Sequence, residues 1–166
     1  MRINNFFKLV IAIAVSEAAG VIGAFFTAPA VRSDWYLELA KPALNPPAWV
    51  FGPVWTTLFA LMGISLFLVW KQHSNILENV RMLRIWKIGI TAFFVQLVLN
   101  TLWSIIFFGL HSPGGALIEI VFLWFAIVWM MVVFYKISKP AAYLLVPYIL
   151  WVSFAMYLNY AIWMLT

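Results

Sequence analysis

The sequence predicts an all-α integral membrane protein, a bundle of five transmembrane helices, on three observations. The first is composition: 66% of the 166 residues are hydrophobic, 9% are charged, and the mean hydropathy is +1.03. A soluble domain carries about 25% charged residues and could not hide this much apolar surface, so the solvent must be lipid. The second is length. Five apolar runs each reach the roughly 20 residues that cross a hydrocarbon core about 30 Å thick. The third is periodicity: the period-2 alternation of membrane strands is absent, and backbone groups in lipid then find partners only inside a helix.

The first run is placed at Phe6–Ala28. It is too long for a cleavable signal and lacks a small-residue cleavage site before polar sequence. Ala12, Ser16, Gly20 and Ala24 recur every fourth residue, a small-residue seam that lets helix backbones approach closely. The seam serves tight packing or a homodimer interface. Glu17 falls near the middle of this run, where a charge costs most. It is expected to be protonated or paired with a buried donor. Two roles stand for it: a ligand or proton site, or a hydrogen bond at a helix interface.

The first connector, about Pro29 to Trp49, differs from the others. Its Trp35, Tyr36 and prolines suggest a rigid cap on the bundle, since flexible linkers favour Gly and Ser. An interfacial aromatic belt would have the same composition. The stretch "KPALNPPAWVFGPVW" (41–55) leads into the second run, Val50–Trp70. A helix starting near Trp49 or Val50 leaves its first N–H groups unpaired anyway, so Pro53 in the first turn costs little. Pro42, Pro46 and Pro47 stiffen the approach, and Trp55 lies about one turn inside.

The second connector, "KQHSNILENVRML", is polar and basic, and the third run is Ile85–Phe108. There Gln96, Asn100, Trp103 and Phe107 share one helix face. Amides are costly in lipid without partners, so this face points into the bundle, as interhelical hydrogen bonding or as the lining of a pocket. "GLHSPGG" reads as a tight turn into the fourth run, Ala116–Tyr135. Its Glu119 is expected within the first turns, where the helix dipole favours an acid and water is near. After the short "KISKP" comes the fifth run, Tyr143–Leu165. Pro147 frees the Tyr143 carbonyl and predicts a kink beside Trp151. Ala155, one turn from Trp151, leaves a slot for a flat molecule, or the two simply pack around the kink. Leu158 and Asn159 fall near the same face.

Several functions are excluded. Cysteine is absent, which removes disulfides and thiolate chemistry. His73 and His111 lie in connectors without acids at ligand spacing, so no metal site is expected. No nucleophile–base set and no glycine-rich phosphate loop is present. The net charge of +5 sits in connectors and sets orientation; it is not a nucleic-acid footprint. Arg2, Lys8, Lys71, Arg81, Arg84, Lys87, Lys136 and Lys139 fall on the N-terminal side, against Arg32 and Lys41 opposite. Eight against two places the N-terminus in the cytoplasm and the first connector outside. No internal repeat of the kind found in many transporters is visible. Residues 1–166 read as one domain of membrane helices and short connectors.

Three stretches resemble the TspO/MBR family of tryptophan-rich sensory and translocator proteins, also known as peripheral-type benzodiazepine receptors. They are "WYLELAKPALNPPAWVFGPVWTTLFALMG" (35–63), "QLVLNTLWSIIFFG" (96–109) and "LLVPYILWVSFAMYLNYAIW" (144–163). The resemblance implies a five-helix bundle with a structured first loop capping a pocket, commonly a homodimer, in a prokaryotic cytoplasmic membrane. It implies binding of porphyrins such as protoporphyrin IX or other planar hydrophobic molecules, and no resident cofactor. By position the pocket would include Phe51, Trp55, Asn100, Trp103, Trp151, Phe154, Ala155 and Leu158. In bacterial relatives, tryptophans matching Trp55 and Trp151 are associated with light- and oxygen-dependent porphyrin breakdown.

The chain departs from the animal members in two places. "LNYAIWMLT" (158–166) lacks the basic residue of their C-terminal cholesterol motif, and Gly115 stands where they carry a pocket tryptophan. The leading expectation is a membrane tetrapyrrole-binding protein acting as sensor, regulator or transporter. Photo-oxidative porphyrin degradation and sterol or lipid carriage are the alternatives. Indoles of Trp55, Trp103 and Trp151 would sandwich the macrocycle and Asn100 would anchor it, with Arg32 or Lys41 near a propionate.

Overall fold

The computed structural model describes residues 4–166; Arg2 of the charge count lies outside them. Helix α1 (Asn5–Ala30) opens where the Asn4 side chain accepts from the Phe6 N–H, at 3.2 Å. A short helix α2 (Asp34–Glu38) occupies the first connector, and α3 (Ala48–Trp70) starts directly after Pro47. That start is earlier than expected and puts Pro53 in the second turn, where it cannot donate to the Trp49 carbonyl. Trp49 is exposed at this helix end.

The second connector is largely helical. It contains α4 (His73–Ile76), and α5 (Val80–Ser104) begins at once, its Met82 N–H capped by the Asn79 side chain at 3.0 Å. Arg81 and Arg84 are therefore helical residues. The end of α5 widens into a π-helical segment, Ile105–Gly109, closed by the Leu110 N–H on the Ile105 carbonyl at 2.9 Å. Such insertions redirect a helix and recur near functional sites. The third connector shrinks to Leu110–Ser112, and His111 turns the chain with φ 52°. Proline is pre-organised for a first helical turn, so α6 (Pro113–Ile137) takes the "PGG" that reads as a turn.

The expected kink at Pro147 is a break. Helix α7 (Lys139–Tyr143) ends, Leu144 and Leu145 turn, and α8 (Val146–Leu165) begins with Pro147 at its second residue. A proline there lacks only an N–H that the helix start leaves unused. Five helical stretches are long and apolar enough to span a membrane, the last of them α7 and α8 together.

Around the bundle α1 lies between α3 and α5, α6 lies between α5 and α8, and α3 meets α7. The core holds Met62, Phe93, Ile127, Met130, Leu145 and Tyr148, all fully buried, while Phe25, Phe122, Phe125 and Leu150 face outward. Apolar faces of that size suit lipid. At one end Lys8 sits 6.0 Å from the Trp70 ring, the Trp86 indole donates to the Val69 carbonyl at 3.0 Å, and Ser65 donates to the Ala141 carbonyl at 2.7 Å. The described basic residues of the larger charge group collect at this end. The first connector, His111 and Trp163 lie at the other.

Candidate functional site

Near the connector end the helices part around a cavity of about 320 Å³. Phe51, Trp55 and Phe59 face it from α3, spaced four apart so that one helix face carries all three. Asn100, Trp103 and Ser104 face it from α5, and Trp151 and Ala155 from α8. Helix α1 adds Glu17, Gly20, Ala24 and Thr27, while Val31, Tyr36 and Phe108 complete the connector side. Val21 and Ala24 on α1, and Gly52 and Thr56 on α3, are both exposed and on the wall. The cavity therefore opens sideways between α1 and α3.

Each indole is held by an aromatic partner. Phe51 meets Trp151 edge-on with ring centroids 5.9 Å apart, which joins α3 to α8. Trp55 tilts against Phe59 at 5.7 Å and meets Tyr148 edge-on at 6.4 Å. Trp103 stacks on Phe107 at 5.3 Å. Such pairs contribute about 0.5–1.5 kcal/mol each beyond the area they bury, so the indoles are preorganised. Among the described residues none of the three stacks on another, which leaves separate walls.

Behind the wall runs a polar network. Asn100 Nδ2 donates to the Tyr148 hydroxyl at 2.9 Å, and that hydroxyl donates to Gln96 Oε1 at 2.9 Å. Trp103 Nε1 donates to Asn159 Oδ1 at 3.0 Å, and Asn159 Nδ2 donates to the Pro113 carbonyl at 2.7 Å. Both readings of the α5 face therefore hold. Gln96 only ties helices together, whereas Asn100 and Trp103 tie helices and line the cavity. Glu119 departs from its expected place near water. It is the seventh residue of α6, it is buried, and neither carboxyl oxygen has a partner among the described residues.

The first connector is anchored by aromatic contacts. Trp35 stacks on His111 at 4.1 Å and meets Phe107 edge-on at 6.0 Å. Tyr36 is buried against Phe108, with centroids 6.0 Å apart. Burial pushes the Tyr36 phenol above its ordinary value, against a smaller opposing effect of the Asn45 side chain. Lys41 Nζ donates to the Tyr36 and Leu39 carbonyls and lies 4.4 Å from the Tyr36 ring. This cation is thus committed to the connector's own backbone. Arg32 is exposed and, like Lys41, lies off the cavity wall.

Of the eight expected pocket residues, Phe51, Trp55, Asn100, Trp103, Trp151 and Ala155 line the cavity. Phe154 instead packs on the Trp151 ring at 5.7 Å, and Leu158 is buried away from the wall. Sequence reasoning missed the wall built by α1. Its small-residue seam splits in two: Ala12 and Ser16 are buried, while Gly20 and Ala24 face the cavity. The signal that could have exposed this is Glu17, an acid one turn from Gly20 in a run whose only other charge is Lys8 near its start. Among the described residues no cluster of His, Asp or Glu could hold a metal.

Fold and site define a multi-pass membrane protein, a five-span helical bundle around a tryptophan-lined cavity. The TspO/MBR family profile matches residues 12–164, and the chain belongs to that family. It is 44% identical over 158 residues to the tryptophan-rich protein TspO of Chlorobaculum tepidum, covering 93% of this chain and 92% of the relative. The tryptophan-rich protein TspO of Archaeoglobus fulgidus is 43% identical over 97% of this chain and 98% of its own length. The human translocator protein is 40% identical over 78% and 73% respectively.

Proposed function

We propose that the chain binds a planar, largely apolar molecule of the porphyrin class in the α1–α3–α5–α8 cavity, with the first connector as its lid. The observation that carries this reading is the convergence of Trp55, Trp103 and Trp151, from three helices, on one cavity. Its volume, about 320 Å³, lies at the small end of ligand sites, and the sideways mouth relaxes the need for full enclosure. Phe51 and Ala155 shape the slot and Asn100 supplies polarity, with Phe154 supporting Trp151 from behind and Leu158 backing α8. The protein acts as one domain, as a homodimer, in a prokaryotic cytoplasmic membrane with its N-terminus inside. The basic cluster at the α1-start end supports that orientation.

Titrating the purified protein with protoporphyrin IX should quench indole fluorescence at micromolar concentration, about −8 kcal/mol of binding. Trp55→Phe and Trp151→Phe should each weaken it by about fivefold, for loss of one aromatic contact. Unquenched emission at those concentrations would end the proposal. A second reading, light- and oxygen-dependent porphyrin breakdown, is favoured by one observation: Trp55 and Trp151 line the same cavity. Illumination in air should then yield a new porphyrin spectrum that both substitutions abolish.

A further inference from the structure

The ring contacts of the three cavity tryptophans lead to different places. Those of Trp151 end at Phe51 and Phe154, and those of Trp55 end at Phe59 and Tyr148. Among the described residues none of these four rings passes on to a further indole. Trp103 does continue. It stacks on Phe107 with centroids 5.3 Å apart and an interplanar angle of 26°, and Phe107 meets Trp35 edge-on at 6.0 Å. Trp35 in turn stacks on the exposed His111 at 4.1 Å. A ladder of touching rings thus runs from the cavity wall to the surface of the connector end. One side branch leaves Trp103 through Phe108 and stops at Tyr36.

The two indoles of the ladder differ in the fate of their N–H. Trp103 Nε1 donates to Asn159 Oδ1 at 3.0 Å, an amide oxygen that accepts a hydrogen bond but is no base near neutral pH. Trp35 is half-buried, and its N–H is neither enclosed nor held by a described residue. An indole that gives up an electron becomes a cation, which is costly away from water, and it regains neutrality by losing the N–H proton. Trp103 has no group to take that proton, whereas Trp35 can pass it to water. Tyr36 is a poorer end point: burial pushes its phenol above the ordinary value, and the Lys41 ammonium lies 4.4 Å from its ring.

We infer that Trp103, Phe107 and Trp35 form a one-electron relay that restores a photo-oxidised ligand in the cavity from the connector-end surface. The excited ligand gives one electron to dioxygen, which becomes superoxide. The oxidised ligand takes one electron from Trp103, and Trp103 takes one from Trp35 across Phe107. Trp35 then releases its N–H proton to water and remains as a neutral indolyl radical. A water-soluble reductant of the ascorbate class returns one electron and one proton to it. The inference rests on the reading of the cavity as a porphyrin-class site, and it adds how such a ligand survives light.

The test uses the full-length protein in nanodiscs, loaded with protoporphyrin IX; indole quenching in the dark shows that each variant is loaded. The sample is illuminated in the visible bands of the porphyrin, where indole does not absorb, with a cobalt(III) ammine as the electron acceptor. Radicals are read by electron paramagnetic resonance after freezing. The wild type should give an indolyl radical that requires bound porphyrin, and Trp35→Phe should lose it. Trp35→Tyr should give a phenoxyl radical instead, an exchange that a merely structural role for Trp35 would not produce. Phe107→Leu keeps both indoles and should lower the radical yield several-fold. These last two variants decide the matter if Trp35→Phe does not fold. In air with ascorbate and no cobalt, the porphyrin should bleach several-fold faster in Trp35→Phe than in the wild type. Loaded wild type without a radical, an indolyl radical unchanged in Trp35→Phe, or equal bleaching overturns the inference alone. Failure of protoporphyrin IX to bind the wild type overturns it together with the porphyrin-class reading.

Discussion

Helices α1 and α3 pack against each other along their length, yet their two ends behave oppositely. At the Ala12–Gly63 end the backbones touch: a Cβ on Gly63 would sit 2.5 Å from the Ile13 Cα and 2.9 Å from its nitrogen. At the Ala24–Gly52 end they part, and a Cβ on Gly52 would meet nothing within 4 Å. Between them lies Gly20, where a Cβ would come 2.5 Å from the Phe59 ring. A glycine thus closes the pair where it faces main chain, and helps open a cavity where it faces a ring or empty space. The residue type is the same at each place, and its opposite neighbour decides the outcome.

The largest effect should separate the two ends of α3 by one identical substitution. Gly63→Ala puts a methyl against backbone that cannot turn aside, and it should lower stability by about 3 kcal/mol, the upper range of overpacking. Gly52→Ala should be neutral or stabilising by up to about 1 kcal/mol, through helix propensity alone. Thermal unfolding of detergent-solubilised protein measures both; equal midpoints for the two variants would dissolve the contrast. A smaller effect probes the closed side of the cavity wall. Tyr148→Phe removes the hydroxyl that links Asn100 to Gln96 and should cost about 1 kcal/mol. No loss in the same assay would mean that the network contributes nothing to holding α5 and α8 together.

The smallest effect concerns the open end and the first connector beside it. Burial holds the Tyr36 phenol above its ordinary value of 10.0, so an unfolded chain ionises first as pH rises. Between the two values the native state keeps a proton that the unfolded state has lost, and stability falls with increasing pH. The contribution is complete below about pH 10 and is lost as pH climbs through the folded value. A Tyr36→Phe variant should therefore lose less stability between neutral and strongly alkaline pH than the wild type does. Parallel curves would show that Tyr36 ionisation is uncoupled from folding.

Much of the fold was legible because lipid imposes it. Five long apolar runs without strand alternation leave little choice, and the helices fall where those runs do. The ends were less legible, since capping residues carry helices into polar sequence: Asn79 starts α5 five residues before the expected Ile85, and Ser112 lets α6 begin at Pro113. The Pro147 break escaped because a proline reads alike in a kink and at a helix start. In the site, Asn100 and Trp103 were readable from helical spacing and Trp151 from its place beside Pro147, whereas Phe51 and Trp55 came from the family resemblance. The α1 wall was not, because small residues mark a close approach without saying to what.

Type and order of residues thus settled the solvent, the number of spans and the set of indoles available, since each depends on local composition and period. Which helix pairs close and which part was settled by packing. So were the fate of Lys41, the burial of Glu119 and the meeting of Glu17 with three tryptophans in one cavity. These are relations between residues far apart in the chain, and no local property of either partner encodes them.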